Sequence, residues 1–219
     1  AGALAALPTQ RYPDAEQRHL RAALAAYTGI PADYLIAGNG SDELLSLLAQ
    51  VLLQPGESVL VCPPTFSMYA FYACVKNCRV VSIPRRADFS LDVDGVIAAA
   101  QSEAPRMIFI DNPGNPTGFN LPAADLEKLL ALPTLIVLDE AYIEFADTPS
   151  FITRVPEHQN LVVLRTFSKW AGLAGLRVGY GAFPKWLGDV LWQAKSPYNL
   201  TQSAAEAATA ALGDLDFLQ

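Results

Sequence analysis

The chain has 219 residues, of which 52% are hydrophobic and 17% charged, and its 15 Lys+Arg against 22 Asp+Glu leave a formal net charge of −7. That length accommodates one large domain, or one and a half ordinary ones, with a sizeable core, and so apolar a composition excludes a disordered chain. The acidic balance offers no basic footprint for nucleic acid or an anionic membrane, so any anionic ligand must be held by local geometry.

Taken in chain order, residues 14–27 carry Leu20, Ala23, Leu24 and Tyr27 at helical spacing, and Gly29 supplies a stop. A short apolar run, Leu35-Ile36-Ala37, precedes a second helix opening at Ser41-Asp42-Glu43 and ending near Gln54-Pro55-Gly56. Residues 58–62 read as a buried strand and a helix follows within 65–75. The alternation continues with strand 79–83, helix 92–102, strand 107–110, helix 122–130 and strands 135–138 and 161–164. A further strand is expected over 177–183, then helices over 184–194 and 201–212. Strands apolar on both faces, alternating with helices, predict an α/β fold: a mainly parallel sheet covered on both sides, in three α/β/α layers. The longest nearly apolar stretch, 44–53, is broken by Ser46 and Gln50 and falls short of the roughly 18 residues of a membrane span.

The sequence opens on Ala1-Gly2-Ala3-Leu4, without Met or a charged leader, and closes on Phe217-Leu218-Gln219 just after a helical pattern. It is read as a cytoplasmic domain and part of a longer chain. Cys62, Cys74 and Cys78 are odd in number, Cys74 and Cys78 lack a second ligand pair, and His19 and His158 stand apart. The thiols are expected to serve as small hydrophobes, with no metal site.

Open α/β sheets bind ligands beyond the carboxyl ends of their strands. Each apolar run here is followed by a polar or turn-forming segment: Gly38-Asn39-Gly40-Ser41-Asp42-Glu43, Pro63-Pro64-Thr65-Phe66, Asp111 through Gly118, Asp139-Glu140-Ala141-Tyr142 and Arg165-Thr166-Phe167-Ser168-Lys169. The glycine turn before Ser41 suits a phosphate at a helix N-terminus, and equally suits plain capping by Ser41 or Asp42. Asp139, after four apolar residues, calls for a positive partner, because an unpaired buried carboxylate is costly. Lys169 lies in an otherwise apolar stretch, where a lysine kept from water has a lowered pKa and serves as an amine nucleophile. Arg177 is a second cation with a geometry suited to phosphate. An amine nucleophile, a buried carboxylate, a phenol, an amide, an aromatic and a phosphate cradle together form the inventory that pyridoxal phosphate requires.

On Asn115-Pro116-Thr117-Gly118, Asp139-Glu140-Ala141-Tyr142, and Ser168-Lys169 with Gly175-Leu176-Arg177 downstream, the chain resembles the fold-type I pyridoxal-phosphate aminotransferases. Arg11-Tyr12-Pro13-Asp14, the Gly38–Glu43 segment and Pro63-Pro64-Thr65-Phe66 are similar to the histidinol-phosphate branch. The resemblance implies that residues 1–219 form the large cofactor-binding domain. It assigns Lys169 to the covalent link with the cofactor and to proton transfer, Asp139 to the pyridine nitrogen, and Asn115 and Tyr142 to the ring oxygen. Phe66 would stack on the ring. Backbone N–H groups of Ser41 and Asp42, the hydroxyls of Thr166 and Ser168, and Arg177 would hold the phosphate. Tyr12 would reach the phosphate of a neighbouring subunit, which implies a homodimer.

The implied reaction is transamination between L-histidinol phosphate with 2-oxoglutarate and imidazole-acetol phosphate with L-glutamate, in histidine biosynthesis. Aromatic-amino-acid transamination, decarboxylation of a phosphorylated amino acid and a non-catalytic cofactor-binding module are alternatives on the same fold. The family pattern also includes an N-terminal segment and a smaller C-terminal domain with a substrate-clamping arginine, which these residues do not supply.

Overall fold

The structure, a computed structural model, describes residue 4 and residues 7–218. Seven strands form one sheet in the order β1-β7-β6-β5-β4-β2-β3. They are β1 (Leu35–Gly38), β2 (Ser58–Val61), β3 (Arg79–Ser82), β4 (Met107–Asp111), β5 (Leu135–Asp139), β6 (Leu161–Thr166) and β7 (Gly179–Ala182). Only β7 runs against its neighbours; β2, β3, β4, β5 and β6 pair in parallel. The helices are α1 (Arg18–Thr28), α2 (Gly40–Leu52), α3 (Met68–Val75), α4 (Val93–Glu103), α5 (Ala123–Leu130), α6 (Lys185–Ala194), α7 (Gln202–Leu212) and α8 (Leu215–Leu218).

The period of two along each strand sorts the core into two layers. Ile108, Ile110, Ile136, Leu138, Leu161 and Val163 face one side, where Leu20 and Leu24 of α1, Val96 of α4, Leu126 of α5 and Ala204 of α7 cover them. Met107, Phe109, Val137, Val162 and Leu164 face the other, beneath Leu44 and Leu48 of α2, Ala73 of α3 and Leu187 of α6. Burial on both faces explains why the strands read as unbroken apolar runs. The expected three-layer α/β/α architecture is therefore the observed one.

Several boundaries differ from the sequence reading. α1 begins at Arg18, because Gln17 adopts a left-handed conformation (φ 55°) and spends its side chain on the backbone of Ala37. α2 begins at Gly40 with Asn39 as its N-cap, so neither Ser41 nor Asp42 caps it. Its cap amide is held by the Glu43 carboxylate, which accepts from Asn39 N–H at 2.6 Å. The last strand starts at Gly179, since Arg177 (φ 51°) closes the 3-10 turn Ala174–Leu176. β6 runs on to Thr166 through a buried Arg165, which donates to Glu140 at 3.1 Å and to the Tyr180 hydroxyl at 3.2 Å.

Cys62 and Cys78 are buried thiols as expected, with burial pushing Cys62 up to about 12, but Cys74 is exposed on α3. Among the described residues no helix is long and apolar enough to cross a membrane.

Candidate active site

The ends of β4, β5 and β6 and the turns after β1 and β2 open onto one cavity of about 170 Å³. Ser41, Asp42, Phe66, Asn115, Asp139, Tyr142, Thr166, Ser168, Lys169 and Arg177 all line it. Tyr12 does not. It is 80% exposed and stacks on Tyr198 with ring centroids 4.6 Å apart, outside the cavity of its own chain.

Asp139, the last residue of β5, is buried at the cavity wall. Its Oδ2 accepts from the Tyr69 hydroxyl at 2.8 Å and its Oδ1 from the Ala141 N–H at 3.1 Å. Both donors are neutral, and no cation is in reach among the described residues. Burial pushes the carboxyl up to about 6, the Tyr69 hydrogen bond pulls against that, and the charge of Asp111 adds to it. A buried carboxylate in this state favours a protonated nitrogen beside it. Tyr69 is a site residue that the sequence reading missed. It lies flat against Phe109 (centroids 5.0 Å apart) and meets the Phe66 ring edge-on at 5.5 Å, so one side chain braces both the carboxylate and the aromatic wall.

A second missed element is the buried ion pair beneath Asn115. Arg85 Nη2 donates to Asp111 Oδ1 at 2.6 Å, with side-chain exposures of only 1% and 4%. Asp111 Oδ2 accepts from the Asn115 N–H, also at 2.6 Å. The pair thus anchors the loop that presents the Asn115 amide to the cavity. Asp111 and Asp139 are register partners on adjacent strands, so Arg85 also neutralises the carboxylate next to Asp139.

At the other side of the cavity, the first turn of α2 offers backbone N–H groups that no helix bond uses. Gly40 (φ 73°) is needed there: a Cβ would come within 2.8 Å of Arg177 Nη2. Gly179 lets β7 approach the same turn, since a Cβ would overlap the Ser41 nitrogen and lie 2.7 Å from the Gly40 carbonyl carbon. Arg177 reaches Asp42 Oδ2 at 3.3 Å and Ser168 Oγ at 3.4 Å. The Thr166 hydroxyl donates to Ser168 Oγ at 2.9 Å and accepts from the Ser168 N–H at 3.1 Å. These groups form a cradle for a phosphate.

Lys169 departs from one expectation: its side chain is exposed, not kept from water. Its neighbours Phe167 and Ala171 turn into the core, which leaves the lysine on the open side. Its Nζ lies 5.5 Å from the centre of the Tyr142 ring. A lysine, a carboxylate without a cation, an amide, a phenol, an aromatic wall and an anion cradle on one cavity match the functional groups of pyridoxal phosphate, and no other part of the described chain gathers them.

The model of the family aminotransferase class I and II matches residues 3–219. Similar proteins include the chloroplastic histidinol-phosphate aminotransferase of Nicotiana tabacum, 50% identical over 208 residues, which are 95% of this chain and 50% of that protein. The histidinol-phosphate aminotransferase of Roseiflexus castenholzii is 48% identical over 205 residues, 94% of this chain and 55% of the relative. The crystal structure of histidinol-phosphate aminotransferase from Sinorhizobium meliloti in complex with pyridoxal-5'-phosphate has a TM-score of 0.93 at 32% identity, covering 99% of this chain and 60% of that one. The chain spans about half the length of the curated relatives it matches. A mainly parallel α/β sheet with these strand-end residues, matched by the family model over residues 3–219, makes this chain a member of the aminotransferase class I and II family.

Proposed function

We propose that the chain is the cofactor-binding part of a pyridoxal-phosphate-dependent aminotransferase acting on L-histidinol phosphate, with 2-oxoglutarate as amino acceptor and L-glutamate as donor in reverse. The observation that carries this reading is the convergence of the strand-end residues on one cavity around a buried carboxylate that lacks a cation. The similarity to histidinol-phosphate aminotransferases supports the choice of substrate.

When bound, pyridoxal phosphate supplies an electron sink for charge developing at the substrate's α-carbon. In this reading Asp139 keeps a proton on the ring nitrogen, and Tyr69 orients its carboxylate. Asn115 and Tyr142 hydrogen-bond the ring oxygen, and Phe66 covers one face. The first turn of α2 at Ser41 and Asp42, with Thr166, Ser168 and Arg177, binds the phosphate dianion. Lys169 would hold the cofactor through its amine and would move the proton at the substrate's α-carbon as general base and acid. Its exposed position leaves it free to swing between those tasks.

The exposed Tyr12 is suited to reach the phosphate of a second copy, and a homodimer sharing its active sites is part of the proposal. All three cysteines are free, which fits a reducing compartment, and the cytoplasm is the one proposed.

The test is an absorbance spectrum of the full-length protein with and without borohydride. A visible band that disappears on reduction, with the cofactor trapped on the peptide holding Lys169, supports the reading. A colourless protein that takes up no added pyridoxal phosphate overturns it. Profiling amino donors then checks the substrate, and a preference for an aromatic amino acid over L-histidinol phosphate would refute that assignment.

A further inference from the structure

The turn that cradles the phosphate does not stand alone. Behind it lies a polar network centred on Asn199, in the segment between α6 and α7. Asn199 Nδ2 donates to Glu43 Oε2 at 2.9 Å and to the Ala37 carbonyl at 3.2 Å. Its Oδ1 accepts from Gln17 Nε2 at 3.0 Å and from Lys195 Nζ at 3.3 Å. Its backbone carbonyl accepts from Asn39 Nδ2. Every hydrogen-bonding position of the Asn199 amide is thereby used on a different part of the chain.

The partners of Asn199 are those that define the cradle. Glu43 holds the Asn39 N–H at 2.6 Å and so sets the residue that caps α2. Gly38 has no Cβ because one would lie 2.9 Å from the same Glu43 oxygen. Gln17 clamps both the N–H and the carbonyl of Ala37 at the end of β1, each at 2.9 Å. The position of the Gly40-Ser41 backbone therefore depends on a carboxylate that Asn199 keeps in place. The residue next to it, Tyr198, carries the stack with Tyr12.

We propose that Asn199 is a positioning residue for cofactor-phosphate binding: its amide fixes Glu43 and, through it, the first turn of α2. The proposal rests on the reading of that turn as a phosphate cradle. Asn199 touches no part of the cavity and acts only through its partners. Within a partly buried network, losing such an amide leaves several donors and acceptors without partners at once.

The experiment measures the affinity of the full-length protein, stripped of cofactor, for pyridoxal phosphate, for pyridoxal and for inorganic phosphate. Asn199→Ala is expected to weaken pyridoxal phosphate and inorganic phosphate about tenfold or more, and to leave pyridoxal within about twofold. Asn199→Asp sets a carboxylate against Glu43 and is expected to lose as much. Adding Glu43→Gln to Asn199→Asp removes the repulsion between the two carboxylates, and the amide oxygen introduced at position 43, in place of the oxygen that both Asn39 and Asn199 use, still accepts the Asn39 N–H. That double variant should recover part of the phosphate-dependent affinity, because the charge repulsion is gone while the Asn199 donor to Glu43 and Ala37 is still missing. Equal loss for pyridoxal and pyridoxal phosphate, unchanged affinities, or a double variant no better than Asn199→Asp would each overturn the proposal. A parent protein that binds pyridoxal as tightly as pyridoxal phosphate would instead overturn the cradle reading on which it rests.

Discussion

Replacing Asp139 with Asn should stabilise the cofactor-free fold while weakening the site. The carboxyl is pushed up to about 6 from an ordinary value of 3.8, chiefly by burial. At about 1.4 kcal/mol for each pKa unit, holding this group ionised in the fold costs about 3 kcal/mol above pH 7. The sign follows from proton binding: between the two pKa values the folded chain holds more protons than the unfolded chain. Stability therefore falls as pH rises from about 4 to beyond 6, and the penalty is absent in acid. In Asp139→Asn, the side-chain oxygen still accepts from Ala141 N–H, and the side-chain amide can donate to the Tyr69 oxygen. Redirecting the Tyr69 proton loses a hydrogen bond worth about 1 kcal/mol, so the net gain is about 2 kcal/mol at pH 8. Near pH 4 the gain vanishes or reverses. Glu144, which burial pushes up to about 7, slopes stability the same way in both proteins and cancels in the comparison. Urea unfolding of the cofactor-free parent and variant at pH 4.5 and pH 8 measures this difference directly. A variant destabilised equally at both values would refute the assignment of a buried, uncompensated charge. Cofactor affinity should move the opposite way, because the partner of the ring nitrogen has lost its charge.

Three further outcomes are expected. Tyr69→Phe keeps the ring contacts with Phe66 and Phe109 but removes the donor to Asp139, so the Asp139 carboxyl should titrate still higher than about 6; carbon-13 NMR of labelled aspartate in the cofactor-free protein reads this, and an unchanged midpoint contradicts it. Arg85→Met leaves Asp111 buried without its cation and should cost about 3–5 kcal/mol in denaturant unfolding, whereas removing both charges with Arg85→Met and Asp111→Leu should recover part of that loss. Gly179→Ala forces a methyl against the backbone of Gly40 and Ser41; it should cost about 1–3 kcal/mol of stability and weaken pyridoxal phosphate more than pyridoxal, both checked on the same preparation.

Most of the layer structure was legible because it rests on local periodicity. Apolar runs of four or five residues separated by helical patterns can only be strands buried on both faces. The residues just past the ends of such strands share one rim by topology alone, so Asp139, Asn115, Thr166 and Ser41 could be gathered from their spacing. The boundaries were less legible where a tertiary partner overrode the local signal. Arg165 looks like a strand terminator, yet it continues β6 because Glu140 and Tyr180 receive its guanidinium in the core. Gln17 looks like an ordinary helical residue, yet it leaves the helix to clamp Ala37.

Local sequence is enough to say which chemical groups this protein brings to its sheet edge: an amine, a carboxylate, an amide, a phenol and a cation, each placed by a strand end or a turn. Their charge states and exposures follow from how the folded chain packs around them. Asp139 is charged at a cost because its partner is Tyr69, 70 residues away, and not a cation. Lys169 is exposed because its apolar neighbours, not itself, face the core. The cradle before α2 depends on Asn199, separated from Glu43 by 156 residues. Periodicity is written within a few residues of chain, whereas desolvation and hydrogen-bond pairing depend on whatever the fold sets alongside each group.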